Sequence, residues 1–163
     1  MPEKILVALK RHDRVEEIIP YLNRIAERGM RVVFLVPYPV EERLWLRDRR
    51  VRTESPGRAM MEGRKMKEKY SWDMQNGLAE KRIFPAREAL QNKGIEVSVI
   101  VYTRSLRKVI QNYAANGDVH LIIMRTGSGN TIERLLPWLS NLFRSFNRSN
   151  SPPVLLLDPG QRV

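Results

Sequence analysis

Residues 120–131 read HLIIMRTGSGNT, and this stretch decides the fold class. Its first part, Leu121–Met124, is a continuous apolar run, which is typical of a strand covered by helices on both faces of a parallel sheet. Its second part, Gly127–Thr131, is a loop of small residues that leads into a predicted helix. A strand, a glycine-containing turn and a helix in this order indicate a βαβ unit.

Further apolar runs along the chain also have the character of strands: Ile5–Leu9, Val32–Val36, Ile95–Val101 and Val154–Leu157. Glu96 and Ser98 alternate with valines in one of them, which predicts a strand near a sheet edge. Amphipathic helical patterns separate the runs, and each connection is long enough for a right-handed crossover. The sequence therefore predicts an α/β fold, a three-layer structure with an open five-stranded parallel sheet.

The helical patterns carry their own start and stop signals. Asp13 is an expected N-cap, with Glu16 at the capping-box spacing, and Gly29 is the expected left-handed end of the first helix. Pro20 inside this pattern predicts a kink. A later helix should carry Leu106, Val109, Ile110, Tyr113 and Ala114 and stop at Asn116-Gly117.

The chain is predicted to be one domain, residues 1–163, with an enlarged crossover at about 38–94. This crossover contains a long helical region rich in Met and Lys. A second helical piece is expected to start near Pro85 and to end at Gly94.

The composition narrows the class of protein. There are no cysteines, no apolar run of the ~20 residues that a membrane span requires and no signal-peptide pattern, so a cytoplasmic protein is expected. The 29 Lys and Arg residues exceed the 18 Asp and Glu residues and give a net charge of +11. This excess favours anionic ligands, or nucleic acid and other polyanions, but it is spread along the chain and equally fits a basic solvated surface.

A ligand site is expected where parallel strands end and the strand order reverses. Lys10 and Arg11 follow the first strand, and Arg125 and Thr126 precede the loop Gly127-Ser128-Gly129-Asn130 after the fourth. Backbone N–H groups of such a loop, together with cationic side chains, can hold a phosphate or another small anion.

Three segments together resemble the universal stress protein family: Lys4–Ala8, the glycine loop that follows Met124, and the closing Pro152–Leu157. The resemblance covers the chain apart from about half of the long second crossover. It implies an adenine-nucleotide-hydrolase-like sheet with strand order 3-2-1-4-5. It also implies a regulatory or stress-response role and an ATP or AMP ligand.

The family pattern maps onto this sequence with departures. Ser140 lies at the family's hydroxyl position, Leu139 replaces the glycine before it, and Lys10 stands where the family has an aspartate after the first strand. The glycine pair is separated by Ser128 alone. The predicted ligand-binding residues are Lys10, Arg11, Val36, Arg125, Thr126, Gly127, Ser128, Gly129, Asn130 and Ser140.

Catalysis and metal binding are not expected. His12 and His120 lack the carboxylate or cysteine clusters that metal sites use. Ser128 does not stand in a nucleophile elbow, and no Walker lysine is present. The preferred interpretation is a non-enzymatic binding module, the alternative is a nucleic-acid-binding protein that uses its basic surface, and an ATP hydrolase is the least favoured.

The last strand predicts self-association. Val154–Leu157 is apolar and should lie at a sheet edge, which is an open template for pairing with the same strand of a second copy. The resemblance also implies a homodimer of this kind. The other interpretation is that the 38–94 insertion or the tail 158–163 covers this edge within one chain.

Overall fold

The computed structural model describes residues 2–40, 56–103, 105–126, 137, 140 and 152–157, with side chains only from residue 72 onward in the second range. Its strands are β1 (Lys4–Ala8), β2 (Arg31–Pro37), β3 (Glu96–Tyr102), β4 (Val119–Arg125) and β5 (Val154–Leu157). They form one sheet in the order β3-β2-β1-β4-β5, and every neighbouring pair is parallel. The predicted strand order and direction are confirmed.

The position of each strand in the sheet explains its sequence pattern. β1 and β2 have neighbours on both sides and helices over the sheet, so their interiors are buried on both faces. β3 lies at one edge, where Glu96 is exposed, as the alternation of polar and apolar residues predicted. β5 lies at the opposite edge, with Val154, Leu155 and Leu156 half-buried.

Helices pack on both faces of the sheet and give three layers. The helices are α1 (Ile19–Ile25), α2 (Pro56–Gln91) and α3 (Leu106–Ala114). α1 and α2 cover the face that carries Val7 and Phe34, and α3 covers the opposite face, where Ile110 packs with Leu6 and Leu35. Within the described ranges, no helix combines the length and apolar character needed to cross a bilayer.

The first helical region differs from the prediction in its start and end. Residues Val15–Glu17 form a 3-10 turn, and Pro20 lies in the first turn of α1, where its missing N–H has no helical partner to lose. The expected kink is therefore replaced by a break before the helix. Gly29 has the predicted left-handed φ of 90°, but it lies in a turn beyond the end of α1 at Ile25.

α2 runs continuously through Pro85, so the prediction of a separate helical piece starting there is wrong. Proline removes one helical hydrogen bond, which is a local cost. Ile83, Ala86 and Leu90 on both sides of it are buried in the core, and this packing outweighs the lost bond. Residues 41–55 of the enlarged crossover lie outside the described residues.

At the amino-terminal end of the sheet, Lys4 and Asp118 fix how β1 is aligned with β4. Lys4 donates its backbone N–H to the carbonyl of Asp118 at 2.9 Å, and its ammonium pairs with the Asp118 carboxylate. This hydrogen bond from Lys4 holds the pKa of Asp118 below its usual range. The register then shifts by one residue, which leaves His120 as the extra residue of β4, exposed and 3.4 Å from the Glu3 carboxylate.

Candidate functional site

The carboxyl ends of β1 and β4 lie side by side, and the chain leaves β1 through a tight turn. Asp13 donates its N–H to the carbonyl of Lys10 at 3.2 Å. In return, its carboxylate Oδ2 accepts the N–H of Lys10 at 2.8 Å. Asp13 was predicted to cap a helix, but instead its side chain closes this turn, an arrangement that Asp readily forms with nearby backbone N–H groups. Its carboxylate is thereby fixed at the carboxyl-terminal end of the sheet.

Arg125, the last residue of β4, points its guanidinium at the same turn. Its Nη1 lies 3.7 Å from Oδ1 of Asp13, and its Nη2 lies 2.5 Å from Oε2 of Glu17. The Arg125 side chain is only 12% exposed, so solvent screens these contacts less than it would at the surface. We name this arrangement of Asp13, Glu17 and Arg125 the carboxylate clamp.

A second arginine, from α2, supports the turn from the other side. Arg82 Nη2 donates to the carbonyls of Lys10 and Asp13, at 2.6 and 2.8 Å. Tyr102, at the end of β3, lies within the electrostatic reach of both Arg82 and Asp13. Burial raises the pKa of the Tyr102 phenol above its ordinary value, and Arg82 only partly opposes this rise. The turn is therefore contacted by Arg82 from α2 and by Arg125 from β4.

Two of the predicted ligand-binding residues serve the scaffold. Thr126 is buried, and both its N–H and its hydroxyl donate to the carbonyl of Leu157, at 2.9 and 3.2 Å. Thr126 thus attaches the end of β5 to β4. Val36 is completely buried in the core beneath the edge.

The remaining predicted residues are placed as follows. Asp13 accepts the backbone N–H of Lys10 and lies beside the guanidinium of Arg125, so these two predicted residues come together. Arg11 is exposed on the same turn. Ser140 is exposed and donates its hydroxyl to the carbonyl of Pro137 at 2.9 Å. The predicted loop residues Gly127, Ser128, Gly129 and Asn130 lie outside the described residues.

The sequence did not predict Glu17, Arg82 and Tyr102 as residues at the carboxyl-terminal end of the sheet. The spacing of Lys10 and Asp13 could have indicated a turn closed by the Asp side chain. No sequence signal singles out Arg82, because it is one of many cations on α2. Its role depends on tertiary packing of α2 against the β1 turn.

The arginine side chain at the carboxyl ends of β1 and β4 is of a kind that suits an anion. A guanidinium presents a planar set of donors that matches carboxylate or phosphate oxygens, and it stays charged at every physiological pH. Among the residues that the structure describes, no group of three or more His, Asp or Glu side chains is arranged to hold a metal ion. Arg125 places donors of this kind at the carboxyl ends of β1 and β4, where they lie against Asp13 and Glu17.

Comparisons with known proteins agree with this architecture. No family model matches the sequence, and no curated protein matches it either. Among solved structures, the hypothetical protein MJ0577 superposes with a TM-score of 0.55 at 14% identity, over 99% of each chain. The hypothetical protein PH0823 gives a TM-score of 0.50 at 16% identity, over the full length of both chains.

A third neighbour carries a family name. It is a universal stress protein family protein from Arabidopsis thaliana, solved with AMP bound, with a TM-score of 0.50 and 12% identity. The match covers 96% of this chain and 92% of the plant protein. Identities this low establish the fold alone, and this fold agrees with the strand order described above. The chain has the universal stress protein fold.

Proposed function

We propose that the protein is a cytoplasmic, universal-stress-type binding and regulatory module that takes an adenine nucleotide or a related small anion at the carboxyl ends of β1 and β4. The observation that carries this proposal is the largely buried Arg125 guanidinium, which already binds two carboxylates at the point where strand order reverses. The AMP bound to the Arabidopsis neighbour with the same fold supports it.

The residues at this edge fit the anionic part of such a ligand. Arg125 would hold a phosphate through paired N–H donors, and Lys10, half-buried in the turn that Asp13 closes, would add a second cation. The loop 127–130 would add backbone donors, as the sequence analysis predicts. A nucleotide bound there supplies a phosphate charge that a guanidinium of low exposure recognises strongly.

Binding without catalysis is part of the proposal. The carboxylate of Asp13 is engaged with the N–H of Lys10 and lies beside Arg125, so it is not free to act as a base. The raised pKa of Tyr102 keeps its phenol protonated at neutral pH, which removes it as a base as well. These described groups favour a binding role over a hydrolytic one.

A thermal-shift titration with ATP, ADP and AMP tests the proposed function. At a nucleotide concentration 100 times its Kd, the native state should gain about 2.7 kcal/mol, which raises the melting temperature by several degrees. Guanosine and uridine monophosphates serve as controls for the base. Melting temperatures that stay unchanged at millimolar concentrations of all three adenine nucleotides would contradict the proposal.

The net charge of +11 favours a second candidate, a polyanion-binding surface. The same titrations separate the two functions when they are repeated at several salt concentrations. A nucleotide site saturates at one ligand per chain, whereas affinity for a nucleic-acid duplex falls steeply and linearly on a log–log salt plot.

We also propose that two copies associate through β5. Its edge position and its half-buried Val154, Leu155 and Leu156 support this proposal, since an apolar edge strand is a template for pairing. Light scattering should give about twice the chain mass of 19.1 kDa, and Leu156→Pro should shift the protein towards monomer. A single-chain mass at micromolar concentration would count against the dimer.

A further inference from the structure

The carboxylate clamp contains two acids that hold Arg125 in different ways. Asp13 is 13% exposed, and its second oxygen is bonded to the N–H of Lys10. Glu17 is 49% exposed and reaches Arg125 from the end of a 3-10 turn. Asp13 is therefore part of the fixed scaffold, whereas Glu17 can turn towards water at little cost.

The closer of the two contacts belongs to the more exposed acid. Nη2 of Arg125 lies 2.5 Å from Glu17, and Nη1 lies 3.7 Å from Asp13. A phosphate that approached Arg125 through both Nη groups would meet the carboxylate of Glu17 at Nη2. The carboxylate of Glu17 and such a ligand anion would therefore compete for contact with Nη2 of Arg125.

We propose that Glu17 is a built-in competitor that limits the affinity of the site for anions, while Asp13 only orients Arg125. This inference rests on the proposed function, because it names the regulation of the same site. It has two consequences. An incoming phosphate exchanges with Glu17, and a change that removes the Glu17 charge leaves Arg125 open to weaker anions.

The experiment compares wild-type protein with Glu17→Gln and with Glu16→Gln as the matched control. Glu16 is the preceding residue of the same 3-10 turn and is exposed, so its change removes the same charge. Calorimetric titration with AMP and, separately, with inorganic phosphate gives the affinities. Glu17→Gln should bind both probes about two- to fivefold more tightly than Glu16→Gln, the range expected for loss of a partly exposed ion pair. Melting curves confirm that the three proteins are folded.

The two probes separate failure of this inference from failure of the proposed function. If AMP binds none of the three proteins but phosphate binds Glu17→Gln more tightly, the nucleotide proposal fails and the competitor role stands. If AMP binds wild type and the two variants equally, or binds Glu17→Gln more weakly, the competitor role is overturned and the nucleotide site stands. If neither probe binds any protein, both proposals are overturned.

Discussion

Replacing Phe34 with alanine is expected to lower the free energy of unfolding by about 3–5 kcal/mol. Phe34 is 0% exposed and lies in β2 between Val7 of β1 and Val99 of β3. The truncation would leave a cavity between the sheet and its covering helices, which the neighbouring strands cannot close without losing their pairing. Urea or guanidinium unfolding, followed by circular dichroism, measures the change.

Phe84→Ala is the matched control for this core substitution. Phe84 lies on α2 and is 57% exposed, so the same truncation there should change the free energy of unfolding by no more than about 0.5 kcal/mol. Similar losses for the two variants would show that the outer face of α2 is buried. That result would contradict the three-layer arrangement.

Arg125→Gln is expected to weaken AMP binding by about 10- to 100-fold. A hydrogen bond to a charged group contributes about 1.5–3 kcal/mol, and the low exposure of Arg125 places its contacts in this range. The substitution also leaves Asp13 without its cationic partner, so some loss of stability should accompany the loss of affinity. Isothermal calorimetry gives the first quantity and thermal melting the second.

Arg31→Gln is the control for charge. Arg31 pairs with Glu96 at 2.7 Å at the amino-terminal edge of the sheet, opposite the proposed site. It carries the same charge as Arg125, and its replacement should leave AMP affinity nearly unchanged. Equal losses of affinity in the two arginine variants would indicate binding through overall charge rather than through the β1–β4 edge.

Much of the fold is evident in the sequence because a strand that is buried on both faces is apolar at successive positions. Ile5, Leu6 and Val7 are apolar without interruption, since helices cover both faces of β1. Glu96 and Ser98 mark β3 as an edge strand for the opposite reason. The strand order rests on the family resemblance together with the fully apolar runs Ile5–Leu9 and Leu121–Met124, which predict two neighbouring central strands.

Local signals were less informative where tertiary packing decides the outcome. Pro85 suggested a helix boundary, but Ile83 and Ala86 hold α2 continuous against the sheet. Asp13 suggested a helix cap, but the turn at Lys10 captures its carboxylate. Each residue has more than one stable local arrangement, and the surrounding core selects among them.

The residues that gather at the carboxyl ends of β1 and β4 follow only partly from the sequence. Lys10 and Arg125 follow from the rule that ligands bind at the carboxyl ends of parallel strands. Glu17 and Arg82 do not, because they reach this edge from helical segments whose sequence patterns report only which face is apolar. Thr126 was expected to contact a ligand, and in the structure its hydroxyl donates to the carbonyl of Leu157 in β5.

Amide chemical shifts report directly where on the protein the nucleotide binds. A titration of isotope-labelled protein with AMP should shift the backbone signals of residues 9–13 and 124–126, and these shifts should saturate together. The corresponding signals of Arg125→Gln should need about 10- to 100-fold higher AMP concentrations to shift by the same amount. Shifts centred on the exposed face of α2, around Phe84, or spread evenly over the basic surface, would contradict a ligand site between β1 and β4.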